Sequence, residues 1–301
     1  MSDLNPTDIY RRYRRNELDK ALAVDYLKSI VESSSDEELR VRSVELLGEM
    51  NLDAGEIFEC FEQLLTSDES SYVRLESLKI IVRNYLDIGI DVIHNIIKRE
   101  KSADNLFYLY KAIEEINTED SNKLLKEMEF ILGKEYSIKL KIIPKEAMAL
   151  QLISMLAGLE AIHIDYWGDA SCVAIRPMNG NVNNLVIHGV RFSEIKFLDF
   201  FPKLEYLTIS STDLTEIKNL DSLIRLKYLD LFYNKISKIK GLDKLVNLEE
   251  LDLSYNPITN MEGLENLGKL RSVNFEGCEL EYNKIEHYFQ TINRKNIKIY
   301  F

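Results

Sequence analysis

Four histidines (His94, His163, His188 and His287) and three cysteines (Cys60, Cys172 and Cys278) are the side chains of this chain best suited to metal binding or nucleophilic catalysis. Their spacing supports neither. The cysteines lie far apart with no CxxC pair, which argues against a disulfide framework and a cysteine zinc site and fits a reducing cytosol. His163 and Asp165 alternate on one strand face and make half of a metal site, but no third ligand lies within reach in the sequence. The chain lacks HExxH, GxSxG and the phosphate-cradling GxGxxG and GxxxxGK[ST] loops. No catalytic, metal or cofactor residue is therefore expected.

A second group of residues suits recognition instead. It comprises an aromatic set, Tyr206, Tyr228, Phe232, Tyr233 and Tyr255, and an acidic set, Asp230, Glu250, Asp252 and Glu276. What places them is a repeat. Leu204, Leu226, Leu248 and Leu270 recur every 22 residues, each opening a Leu-x-x-Leu-x-Leu-like run such as Leu248, Leu251 and Leu253. In such a run alternate residues of a strand point inward, and those between them point outward. The outward set is His188, Tyr206, Thr208, Tyr228, Asp230, Phe232, Glu250, Asp252, Asn274 and Glu276, with Val186, Ser210, Ser254 and Ser272 beside them and Tyr233 and Tyr255 just beyond. Asp230 and Asp252 then sit side by side, at a repulsion of about 1 kcal/mol even in a water-like dielectric. Phe232 occupies a slot that holds a serine in the neighbouring copies, Ser210 and Ser254.

The elements behind that face follow the same period. Residues 182–281 fit LxxLxLxxN/CxLxxLxxLxxLxx, with Asn234 and Asn256 at the Asn position and Thr212 and Cys278 in the equivalent places. A first copy has Leu185, Ile187, Phe192 and Ile195 in register, with Val190 at the Asn position. The pattern resembles the 22-residue leucine-rich repeats of type 1 phosphatase regulators and internalins. That resemblance implies an α/β solenoid with one curved parallel sheet and a concave binding face. The Asn side chains are expected to satisfy turn backbone, and Cys278 to be a buried structural thiol. Residues 282–301 read as a closing helix and strand.

The N-terminal half repeats at a different period. Leu39, Val41, Val44, Leu46 and Leu47 are matched 34 residues later by Val73, Leu75, Leu78, Ile80 and Ile81, with Arg40 and Ser43 matched by Arg74 and Ser77. A looser copy runs from Leu106 to Ile116. Residues 17–132 resemble HEAT or armadillo-like helix pairs, which implies an α-solenoid. Residues 1–16 form an arm containing the basic run Arg11-Arg12-Tyr13-Arg14-Arg15, read as a solvated start to the first helix or a loose terminus, with electrostatic contact to an acidic partner or an anionic surface as the alternative. Residues 133–181 read as junction and cap, with a strand at 136–142, a helix over 147–159, and strands at 162–166 and 172–175 around a turn at Gly168-Asp169.

The net charge is −12, most of it in the N-terminal half, which disfavours phosphate-backbone partners. No apolar run approaches the ~20 residues that span a bilayer. The N-terminus lacks the pattern of a signal peptide. These features predict a cytoplasmic, non-enzymatic protein-binding scaffold or adaptor without cofactors, whose partner is a protein carrying a basic patch rather than nucleic acid or membrane. The family resemblance alone implies an alternative, a regulatory subunit of an enzyme such as a protein phosphatase or GTPase.

Overall fold

The structure is a computed structural model that describes residues 5–159, 163–164, 171–191, 194–291 and 297–301. The chain divides into two compact units, Met1–Glu127 and Met128–Phe301.

The first unit is built of helices: α1 (Pro6–Arg14), α2 (Lys20–Ser33), α3 (Glu37–Glu49), α4 (Ala54–Ser67), α5 (Ser71–Asn84), α6 (Leu86–Arg99), α7 (Ala103–Ile116) and the start of α8 (Glu119–Leu140). Polar caps set their starts. Asp19, Asp36, Ser70 and Ser102 each accept a first-turn backbone N–H, so the orphan donors of α2, α3, α5 and α7 are met locally. The expected helix pairs are present as α2–α3 and α4–α5, whereas α6 and α7 each pack on α5. Helices α3, α5 and α7 start at residues 37, 71 and 103, so the third copy comes early. It does so because Tyr85 closes α5 and opens α6 with no intervening loop.

Leu27, Val44, Leu47, Phe61, Leu65, Leu78, Ile81, Ile93, Leu106 and Ile113 fill the core between the pairs. The matched arginines tie each repeat to the next. Arg40 pairs with Asp68, and Arg74 pairs with Glu100 through two bonds of 2.9 Å. Glu100 is buried and also accepts the N–H groups of Lys101 and Ser102 at 2.8 Å, so it holds the turn that leads into α7. Burial alone would raise its pKa; the Arg74 and Ser102 bonds outweigh burial and hold it below the usual carboxylate range.

The second unit holds the rest of α8, then α9 (Pro144–Ala157) and an eight-stranded sheet in sequence order. Its strands are β1 (His163–Ile164), β2 (Cys172–Met178), β3 (Asn181–His188), β4 (Tyr206–Ser210), β5 (Tyr228–Asp230), β6 (Glu250–Asp252), β7 (Ser272–Asn274) and β8 (Lys298–Tyr300). A helical turn at Leu198–Phe200 precedes β4, and α10 (Tyr282–Thr291) lies between β7 and β8. Every neighbouring pair is parallel except the β2–β3 hairpin. The strand expected at 136–142 is instead the end of α8. Tyr136 and Leu140 are 5% exposed, but Ile138 between them is 70% exposed. The buried positions therefore recur at i and i+4 on one helix face, not at alternate residues of a strand. Asp165, Tyr166, the turn at Gly168-Asp169 and Phe192 lie outside the described residues.

From β3 onward the register is that of the repeat: Leu185, Leu207, Leu229, Leu251, Val273 and Ile299 stand side by side. Behind them pack Ile209, Leu231, Leu253 and Phe275, then Leu220, Leu242 and Leu264. Each buried side chain of this kind is worth about 1.5–3 kcal/mol. The turns that follow the strands in each repeat use left-handed backbone at Asn219, Gly241 and Gly263. A Cβ on Gly241 would meet the Ile217 carbonyl oxygen at 2.4 Å, which is why two of these positions lack one.

Asn234 and Asn256 do what the pattern implies. Asn234 Oδ1 accepts the N–H groups of Thr212 and Leu214 and the Thr212 hydroxyl, while its Nδ2 donates to the carbonyls of Ile209 and Leu231. Asn256 repeats this one coil later, accepting from Ile236 and donating to Leu231 and Leu253. The Cys278 thiol donates to the Leu253 carbonyl at 3.2 Å, though the residue is half-buried rather than buried. Asn256→Ala orphans several buried backbone groups and should cost about 1–3 kcal/mol. Thermal or denaturant melting of the variant checks this.

One buried acid stands at the start of the sheet. Glu146 on α9 is fully buried, and its Oε2 accepts the Val182 N–H at 2.5 Å. Burial pushes its pKa up to about 7, against the opposing pull of the Val182 bond and Lys203. A folded pKa above the unfolded one means that stability is fully present below the unfolded value, near 4.5, and falls as pH rises toward about 7. The full effect is on the order of 3 kcal/mol. Glu146→Gln keeps an oxygen for Val182 and cannot ionise, so it should flatten this decline. Denaturant melts of both chains across that pH window test it, and an unchanged slope would contradict the assignment.

Candidate functional site: the outward face of the repeat sheet

The parallel register sorts the outward side chains into rows that cross the strands. One row is Asn184, Tyr206, Tyr228, Glu250, Ser272 and Lys298; the next is Val186, Thr208, Asp230, Asp252, Asn274 and Tyr300. A third row follows from the backbone bonds beyond the strands and from the β3–β4 register: His188, Ser210, Phe232, Ser254 and Glu276. Tyr233 and Tyr255 form a fourth. Five strands side by side span about 19 Å. The twelve residues expected on the binding face thus share one surface. Val186, Ser210 and Ser254, expected beside them, are buried. Ser210 is bonded to His188 Nδ1 at 2.8 Å, and Ser254 to Asp252. Lys298 and Tyr300 were expected only to cap the core, yet β8 continues both rows and exposes Tyr300.

The acidic row has a local structural reason. Asp230 Oδ1 accepts the Phe232 N–H at 2.8 Å, Asp252 Oδ1 accepts the Ser254 N–H at 2.8 Å, and Asn274 Oδ1 accepts the Glu276 N–H at 3.0 Å. In three successive repeats the side chain therefore fixes the bend that ends the strand, which Asp and Asn do well. The chemistry of the two acids still differs from that of an amide. Burial pushes Asp230 up to about 6, with the neighbouring Asp252 adding and His188 and the Phe232 N–H opposing. Tyr228 is pushed up to about 12 by burial and by Asp230, Asp252 and Glu250. The middle of the face is thus a region of negative potential against half-buried aromatic surface.

The aromatic residues form two groups. Tyr206 and Tyr228 pair with ring centroids 6.4 Å apart. Phe232, Tyr233 and Tyr255 form a triangle with centroid distances of 5.4, 5.8 and 6.4 Å. Tyr233 is 60% and Tyr255 is 45% exposed. Both have left-handed backbone, as do Gly189, Ser211 and Gly277 at the same place in the other repeats. That conformation costs an L-residue other than Gly about 1–2 kcal/mol. The sequence reading missed it, although the glycines at 189 and 277, in register with these tyrosines, carry the signal. Gly277 lets the Tyr255 ring lie close, since a Cβ there would come within 2.9 Å of it. The Tyr255 hydroxyl donates to Glu276 at 3.0 Å.

Among the described residues no three His, Cys, Asp or Glu side chains converge to hold a metal ion. No helix among them is long and apolar enough to cross a membrane.

The family comparison agrees with this geometry. A leucine-rich repeat family model matches residues 202–258. No curated protein matches the chain. Solved structures with similarity include an internalin, inlF, from Listeria monocytogenes, at 26% identity over 40% of this chain and 37% of that one, with a TM-score of 0.34. A Drosophila melanogaster SNF/U2A′ complex matches at 26% identity over 41% and 75%, with a TM-score of 0.35. The ectodomain of the Arabidopsis thaliana receptor kinase SOBIR1 matches at 21% over 53% and 92%, with a TM-score of 0.38. The chain spans little more than a third of the internalin's length. With the 22-residue register, the Asn ladder and the family match at residues 202–258 in agreement, the second unit of this chain contains a leucine-rich repeat solenoid, preceded by a unit of helical repeats.

Proposed function

We propose that this chain is a non-enzymatic protein-binding scaffold or adaptor acting in the cytoplasm, and that residues 182–281 engage a protein partner through the outward face of their sheet. Residues 133–181 and 282–301 cap that sheet, and the helical repeats supply a second surface. The observation that carries the reading is the aromatic triangle of Phe232, Tyr233 and Tyr255. Its two tyrosines are solvent-exposed on backbone that would favour glycine. Neither burial nor local conformation accounts for large aromatics there, and such residues are the usual anchors of an interface. The three thiols are all free, which fits a reducing compartment.

The test is the double variant Phe232→Ala/Tyr255→Ala. These positions lie outside the repeat core, so the melting temperature should change little. Affinity for a partner captured from native extract should fall at least about tenfold, as loss of anchor residues does. Capture undiminished by the double variant would move the binding site to the helical unit.

A further inference from the structure

Within the acidic row of the outward face, one carboxylate oxygen is without a hydrogen-bond partner among the described residues. Where the residues of the acidic row allow it, they bond across strands: Asn274 Nδ2 donates to Asp252 Oδ2 at 2.9 Å. The register sets Asp252 beside Asp230 in the same way. Asp252, however, is a carboxylate with no N–H to give, so the ladder stops there. Asp252 is fully used, its Oδ1 by the Ser254 N–H and hydroxyl and its Oδ2 by Asn274. Asp230 uses only Oδ1, for the Phe232 N–H; its Oδ2 receives no hydrogen bond from the described residues.

The surroundings of that oxygen narrow what could fill it. Tyr228 and Phe232 are the next outward residues on either side of Asp230 along the chain, each roughly 6.7 Å away. The alternation of the strand therefore places the carboxylate between two aromatic residues, and this gap is the slot a filler would enter. Both residues are half-buried, Tyr228 pairing with Tyr206 and Phe232 with Tyr233 and Tyr255. The second carboxylate, Asp252, sits one strand over at a spacing of about 4.8 Å. The filler must donate hydrogen bonds, carry positive charge to offset two adjacent acids, and tolerate contact with rings.

A neutral amide supplies donors without the charge. An ammonium group supplies both, but as a compact and strongly hydrated point it loses much on entering an aromatic slot. A guanidinium is planar and weakly hydrated, stacks on aromatic faces, and has enough donors to reach both carboxylates.

Resting on the reading of this face as a partner-binding surface, we propose that the partner presents an arginine here. Its guanidinium donates to Asp230 Oδ2 between the Tyr228 and Phe232 rings, with Asp252 as the second counter-charge. The partner is thus a protein with an exposed arginine on a protruding element, and Phe232 serves both as a wall of the slot and as an anchor for the apolar surface beside it.

The experiment is a titration of the full-length chain, labelled for NMR of its carboxyl and aromatic side chains. The probes are N-acetyl-argininamide, N-acetyl-lysinamide and N-acetyl-citrullinamide, the last having arginine's shape without its charge. Expected is a saturable shift of the Asp230 carboxyl and of the Tyr228 and Phe232 rings with the arginine probe. Binding of the lysine and citrulline probes should be at least about tenfold weaker, a difference of about 1.4 kcal/mol. Asp230→Asn keeps an oxygen for the Phe232 N–H, so the signals of Leu229 and Leu251 should stay in place while the arginine response is lost.

A response that does not saturate, one equal for arginine and citrulline, or one that survives Asp230→Asn would overturn the arginine assignment. None of these results would touch the wider reading, which stands or falls with capture by Phe232→Ala/Tyr255→Ala. Conversely, selective arginine binding alongside undiminished capture by that double variant would remove the face as the partner site and leave the slot as a cation site.

Discussion

The repeat unit depends on one requirement: a coil that folds every 22 residues around a largely apolar interior must still give each buried backbone N–H and C=O a partner. Between β4 and β6 that is done by Asn234 and Asn256, whose amides bond both their own coil and the one before. The leucines supply the driving force, but their contacts are non-directional and would tolerate slippage. The amide ladder fixes each coil at one offset from the last. Once that offset is set, Leu207, Leu229 and Leu251 fall into line and the outward residues fall into rows.

The outward face inherits its chemistry from that alignment. A row of Asp and Asn side chains closes the strand ends by accepting backbone N–H groups, so acids at these places serve the fold first. What distinguishes this face is that two neighbouring repeats carry Asp where the next carries Asn. Two carboxylates then sit side by side, and one of them keeps a free oxygen. Aromatic rings flank this position, and two tyrosines stand on left-handed backbone at its edge. Each of these features costs the isolated chain some stability, through repulsion, desolvation or strain, and the proposed partner surface rests on them together.

The helical unit solves its own registration problem with charge. Arg40 and Arg74, equivalent residues of successive helix pairs, each reach the turn of the following pair and bond an acid there. Glu100 shows why such a pair is held in place. It is buried, and its oxygens are shared among Arg74, two backbone N–H groups and the Asn105 amide, so its charge is compensated from every side.

Much of this was legible in the sequence because both periods are written in residue type. The 22-residue spacing of Leu204, Leu226, Leu248 and Leu270 determines strand, register and outward set, since alternation on a strand leaves only two faces. Likewise the match of Leu39–Leu47 with Val73–Ile81 determines a helix pair. Elsewhere one pattern fitted two structures. Tyr136, Ile138, Leu140 and Ile142 alternate like a strand, but Tyr136 and Leu140 are also one helical turn apart, and only packing revealed that Ile138 faces solvent. The tertiary structure alone decided which outward residues remain exposed, that β8 extends the face with Tyr300, that Glu146 is buried beneath Val182, and that Asp230 rather than Asp252 keeps an open oxygen. These depend on which groups meet across strands and coils. Sequence periodicity specifies the neighbours of a residue along the chain, whereas hydrogen-bond saturation and burial are properties of the whole assembled surface.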